Sequence, residues 1–196
     1  MTALAQALPL PRARASRLAY QAALVVGGSL LIAALAQVVV RLPFTPVPIS
    51  GQTLGVLLVG TAFGWLLGGL TLLLYLTEIA VGLPFAAEGK GGLEVLTLAT
   101  ASGGYIWGFL AAAILMGWLA NRGWDRSIRS SISVMLLGHI VIYAFGISWL
   151  MASIDVGLQD ALVLGLAPFV VGDTIKLLLA AGALPLAWRL VRRREG

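Results

Sequence analysis

An acid and an amine stand three residues apart in Gly172-Asp173-Thr174-Ile175-Lys176, inside a long apolar run. At i and i+3 on a helix, the two side chains share a face. Asp accepts hydrogen bonds from ligand N–H groups, and Lys donates them to a carbonyl or carboxylate. A charge at the centre of a bilayer costs roughly 2.5–3.5 kcal/mol on insertion scales, so two of them need a reason. One reading is that Asp173 and Lys176 neutralise each other and pin their helix to its neighbours. The other is that they line a polar cavity reached from outside, since intramembrane ionisable groups mark substrate pathways.

The stretch 82–104 carries Gly82, Gly89, Gly91, Gly92, Gly103 and Gly104, with Pro84 and Glu88-Gly89-Lys90-Gly91-Gly92 in its first half. Such a stretch is either a flexible linker or a backbone-lined lid over a small ligand, because glycine allows close backbone approach. Gly89-Lys90 is not the end of a phosphate-binding loop: Pro84 stands where that motif needs Gly, and Gly91 where it needs Ser or Thr. Glu78 either snorkels or serves a site. His139, the one histidine, is either a hydrogen-bonded interhelical residue or a proton relay. The small-residue spacings Ala19-Ala23-Gly27 and Ser29-Ala33 allow close helix approach, within the chain or to a docking partner. No catalytic constellation is evident, so no enzyme is expected. With no cysteine and one histidine, no metal site is expected either.

These residues must be held by an apolar scaffold. The chain has 196 residues, 60% hydrophobic and 11% charged, with a mean hydropathy of +0.99. At roughly 20 residues per span, that length accommodates about six transmembrane helices and their loops. We expect an all-α integral membrane protein, a six-helix bundle over 18–190, between an N-terminal tail (1–17) and a basic C-terminal tail (191–196). Expected spans are 18–40, 52–64, 65–81, 105–120, 130–152 and 168–190, the last with Pro168 in its first turn. The first apolar run is too long for a signal-peptide core. Pro43, Pro46 and Pro48 predict a stiff extended loop, and 153–167 a small interfacial helix. Ten of the thirteen Lys and Arg fall in three clusters: Arg12, Arg14 and Arg17; Arg122, Arg126 and Arg129; and Arg189, Arg192, Arg193 and Arg194. Six spans place all three clusters on one side, which the positive-inside rule makes the cytoplasm. Both termini are therefore expected there.

Taken together and in order, the motifs resemble those of the biotin-specific S components (BioY family) of energy-coupling-factor transporters. The resemblance rests on Pro43-Phe44-Thr45-Pro46-Val47-Pro48-Ile49 followed by Gly51-Gln52-Thr53-Leu54, on Gly82-Leu83-Pro84 with the Gly89–Gly92 cluster, on Ser102-Gly103-Gly104-Tyr105, on Gly138-His139, and on Gly172-Asp173 with Ile175-Lys176. It implies a multi-pass subunit of the bacterial inner membrane that captures biotin near the outer surface. It also implies partners: a transmembrane coupling protein and cytoplasmic ATPase subunits. No cofactor is implied, biotin being cargo. Asp173 and Lys176 map onto the family's binding pair and Phe85–Gly92 onto its binding loop, which makes Glu88, Gly89, Gly91 and Gly92 candidate contacts. Gln52 and Tyr105 are candidate neighbours, and Ala19, Ala23, Ser29 and Ala33 a candidate docking face. Glu88 stands where members usually carry Gly or Asn, and Ala86 and Ala101 replace commoner Phe and Pro. An S component for another vitamin, or a biotin carrier working alone, is the alternative.

Overall fold

The computed structural model describes residues 3–7 and 13–193. Arg12 and the end of the basic tail, 194–196, lie outside the described residues. A short helix α1 (Leu4–Ala7) precedes α2 (Arg14–Ala36), then β1 (Val39–Val40), β2 (Ile49–Ser50), α3 (Gln52–Ala80), α4 (Gly103–Ala120), α5 (Ile128–Ile154), α6 (Leu158–Gly165) and α7 (Val170–Arg193). Among the described residues, five helices are long and apolar enough to cross a membrane: α2, α3, α4, α5 and α7. The chain is thus all-helical in its main elements.

The first long helix starts before the expected Leu18, because Arg14 and Arg17 are good helix formers and nothing between them and Leu18 breaks the turn. It also stops before the expected Val40. Val39 and Val40, β-branched and at ease in extended backbone, instead pair antiparallel with Ser50 and Ile49. This small ladder closes the proline loop at its base, which keeps the segment from swinging free.

The two spans expected at 52–64 and 65–81 form one helical element with a break at Gly64, whose φ of +78° is left-handed. That conformation suits glycine and penalises any residue with a Cβ. The chain doubles back here. A methyl added at Gly68 would lie 3.2 Å from Gly60 Cα, whereas eight residues of straight helix rise roughly 12 Å. The turn is sealed by α4, since a methyl at Gly117 would overlap the Gly64 carbonyl carbon. Asn121 Oδ1 also accepts from Trp65 N at 3.2 Å.

Pro168 is not in the first turn of the last helix. Leu166 N and Ala167 N both donate to Leu162 O, and Phe169 N donates to Leu166 O. That tight turn out of α6 holds Pro168 outside α7, which opens at Val170 with Asp173 N donating to Phe169 O at 2.8 Å. Pro185, which the sequence reading passed over, lies inside α7.

The bundle core runs through α3, α4 and α5, with Leu72, Tyr75, Ile106, Phe109, Ala113, Met116, Met135 and Ile142 buried. Leu30, Leu31, Leu73, Ile140, Val171, Leu178 and Leu179 point outward, as lipid demands and water would not allow in such numbers. At the end of α4 away from Tyr105, Asp125 is fully buried and accepts from Trp188 Nε1 at 2.6 Å, while the Arg126 guanidinium lies over the same indole.

Candidate functional site

Asp173 and Lys176 sit on the first turns of α7 and face inward, not toward lipid. Asp173 is 5% exposed. Lys176 Nζ donates to Asp173 Oδ1 at 2.7 Å, to Ser50 O at 2.7 Å and to Thr53 Oγ1 at 2.9 Å. All three ammonium donors are thereby used. Thr53 donates in turn to Asp173 Oδ1 at 3.0 Å, and Tyr143 donates to Oδ2 at 2.6 Å. A pair this buried persists only with hydrogen bonds to its remaining lone pairs and protons. Here α3, α5 and the end of β2 supply them.

Asp173 and Lys176 do clasp each other, and both also line a cleft. Its enclosed free volume is about 50 Å³. The apolar wall comes from Val47 and Pro48 of the proline loop, Val95, Ile106, Phe109, Ile142 and Phe169. Gln52, Thr53, Ser102 and Tyr143 bring polar atoms. Tyr105 stacks on Phe169 with ring centroids 6.2 Å apart and meets Tyr143 edge-on at 6.5 Å. Its hydroxyl donates to Gly165 O at 2.8 Å, so Tyr105 offers the cleft a ring face.

Gln52 is tied into a relay that reaches the loop above. Ser50 Oγ donates to Gln52 Oε1 at 2.8 Å, Gln52 Nε2 to Tyr75 Oη at 2.7 Å, and Tyr75 Oη to Phe85 O at 2.8 Å. Gln37 Nε2 adds bonds to Pro84 O and Ala86 O, each 3.3 Å. The glycine loop is thus no floppy linker. It packs as two short 3₁₀ turns, Ala87–Gly89 and Leu93–Leu96, and a methyl at Gly91 would overlap Leu83 O.

Within 85–92, the residues that line the cleft are Ala86, Ala87 and Lys90. Glu88, Gly89, Gly91 and Gly92 do not, and this departs from the expectation placed on them. Glu88 instead turns away, pairing with Arg41 and, at 2.7 Å, with Lys90 Nζ. Its burial alone would raise the carboxyl's pKa. The hydrogen bond and charge of Lys90, then those of Arg41, outweigh that and hold it below the usual carboxylate range. Its φ of +67° is left-handed, which accounts for the Gly or Asn that the resemblance leads one to expect there.

The sequence reading missed Thr53, Tyr143, Tyr75 and Lys90. Tyr143 was within reach of a periodicity argument: it lies at i+4 from His139 and so shares that face of α5. His139 Nδ1 lies 2.9 Å from Met135 O, and Nε2 lies 3.7 Å from Asp173 Oδ2. Glu78 neither snorkels free nor enters the cleft; it accepts from the buried Ser29 hydroxyl of α2. Of the candidate docking residues, Ala19 and Ala23 are exposed on α2. Ser29 and Ala33 are buried against α3, which corrects their place on an outer face: the helix turns that flank inward to meet Glu78 and its neighbours.

The comparisons with known proteins agree with this architecture. The model of the BioY family matches residues 7–193. The "Biotin transporter BioY" of Rhizobium etli is 35% identical over 149 residues, covering 72% of this chain and 78% of that protein. The protein of the same name from Rhodobacter capsulatus is 35% identical over 163 residues, 74% of this chain and 85% of its own. A crystal structure of the S-component for biotin from an ECF-type ABC transporter superposes with a TM-score of 0.80 at 24% identity, covering 95% of this chain and 96% of that one, so the fold is shared.

Proposed function

Because the chain belongs to the BioY family, we propose that it captures biotin from outside the cell for import by an energy-coupling-factor transporter. The observation that carries this reading is the buried Asp173–Lys176 pair built into the wall of a mostly apolar cleft. Biotin is a ureido bicycle on an apolar valeryl chain ending in a carboxylate. The ureido group offers N–H donors to an acceptor such as Asp173. The carboxylate or the ureido carbonyl offers acceptors to Lys176, and the aliphatic body suits the Val47, Phe109, Ile142 and Phe169 surfaces. Gln52 and Tyr105 bound the site, and the 85–92 loop covers it through Ala86, Ala87 and Lys90.

In this reading the two arms of α3 around Gly64 are separate short spans, giving six in all. Both termini then lie in the cytoplasm, and the cleft opens outward in a bacterial inner membrane. A transmembrane coupling protein and cytoplasmic ATPase subunits drive release inward, with the exposed Ala19–Ala23 flank of α2 as the docking face. The deciding experiment is biotin titration of the purified protein in detergent. Stoichiometric binding that is lost or strongly weakened in Asp173→Asn and Lys176→Ala supports the assignment. Unchanged affinity in both variants overturns it.

A further inference from the structure

His139 does not line the cleft. It touches Asp173 from behind, across the groove between α5 and α7. An imidazole nitrogen that meets a carbonyl oxygen must carry the proton, so Nδ1–H donates to Met135 O. That leaves Nε2 buried and, among the described residues, without a hydrogen-bond partner, 3.7 Å from the carboxylate oxygen that Tyr143 holds. In neutral His139, a lone pair faces a carboxylate at this distance. One proton on Nε2 converts the pair into a buried ion pair.

The charge balance of the cleft says when that proton is wanted. Asp173 and Lys176 cancel, and at the loop Lys90 and Arg41 share the one carboxylate of Glu88. An anionic ligand brings one further negative charge, and a buried charge without compensation is costly. If Lys176 turns to the ligand carboxylate, Asp173 loses its cation, and His139 is the group placed to replace it. We infer that His139 is a positioning residue that takes up one proton as biotin binds, holding Asp173 in place while Lys176 serves the ligand. This rests on the biotin reading above. In the step, Nε2 gains a proton from solvent, Nδ1–H stays on Met135 O, and no other bond forms or breaks. The titratable and charged groups facing His139 are Asp173, with Lys176 beyond it, from α7, and Tyr143 from its own helix at 6.1 Å between ring centroids. From α4, Tyr105 meets the ring of Tyr143; from α3, the Thr53 hydroxyl meets the far side of Asp173.

The test is calorimetric titration of biotin into the detergent-solubilised protein at pH 8, in buffers of different ionisation enthalpy. The slope of apparent enthalpy against buffer enthalpy counts protons. We expect net proton uptake by the unaltered protein as biotin binds, and affinity that falls as the pH rises. His139→Gln is expected to bind biotin more weakly, with no proton uptake and a flat pH profile, and biotin methyl ester to take up none with the unaltered protein. Biotin binding without proton uptake by the unaltered protein overturns the inference and leaves biotin capture standing. Proton uptake that persists in His139→Gln assigns the proton elsewhere and also overturns it. If biotin does not bind at all, both readings fall. The buffer series on the unaltered protein needs no variant to fold.

Discussion

Tyr143 holds one oxygen of Asp173 at 2.6 Å while Lys176 holds the other at 2.7 Å. The carboxylate is thereby fixed in rotation by two helices, α5 and α7, and cannot turn to find other partners. A hydrogen bond to a charged group contributes about 1.5–3 kcal/mol. Tyr143→Phe is therefore expected to weaken biotin binding by about tenfold or more, with the fold kept, as measured by titration in detergent. An unaltered affinity would mean that the orientation of Asp173 does not matter to the ligand.

The pair itself makes a stability prediction. Lys176→Met takes the lysine from a buried carboxylate, a loss of up to about 3–5 kcal/mol where His139 does not replace that cation. Adding Asp173→Asn removes that charge and is expected to restore much of the loss, although neither variant should bind biotin well. Thermal unfolding of both in the same detergent decides the matter. A double variant no more stable than the single one would argue against direct coupling of the two side chains.

Glu88 trades backbone strain for two ion pairs. Its pKa lies below the ordinary carboxylate value in the folded protein, so its contribution is present above that ordinary value. It is lost as the pH falls through the lowered one. Glu88→Gly should relieve the left-handed conformation yet free the loop from Arg41 and Lys90. Faster biotin release, with little change in melting temperature, is the expected result in a chase experiment. A release rate equal to that of the unaltered protein would show that these pairs do not restrain the loop.

Asp125 has the opposite sign. Burial raises its pKa, more than the Trp188 hydrogen bond, its own backbone and the Arg126 charge lower it. Its stabilising effect is therefore fullest below the ordinary carboxylate value and is lost as the pH rises through the raised one. Asp125→Asn keeps an acceptor for Trp188 Nε1 without the charge. It should melt higher than the unaltered protein at neutral pH, with the advantage shrinking in acid. A constant offset across the pH range would rule out this titration as the cause.

Gly64→Ala is expected to fail at the helical hairpin. At φ +78° and ψ 173° the backbone lies in a region reserved essentially for glycine, which costs a residue with a Cβ about 1–3 kcal/mol, and the added methyl would lie 2.7 Å from Asn121 Oδ1. Reduced yield of folded protein on size-exclusion chromatography is the readout. Normal yield and melting temperature would show that the turn tolerates a side chain.

Much of this protein was legible before any coordinates. Apolar composition and run length dictate a helical membrane protein, because a bilayer leaves backbone polar groups no partner but each other. The cost of charge in lipid singled out Asp173 and Lys176, and clustered prolines and glycines marked the two loops that border the cleft. What the one-dimensional pattern could not carry was partnership across helices. Whether Asp173 clasps Lys176 or lines a cavity depends on Ser50, Thr53 and Tyr143, which come from other elements and have no fixed spacing to it. Likewise, helical periodicity places Ala19, Ala23, Ser29 and Ala33 on related faces, but only packing against α3 decides which are covered. Glu88 was a candidate ligand contact in sequence and pairs with Arg41 and Lys90 in space, because the backbone turn at that residue aims its side chain at them.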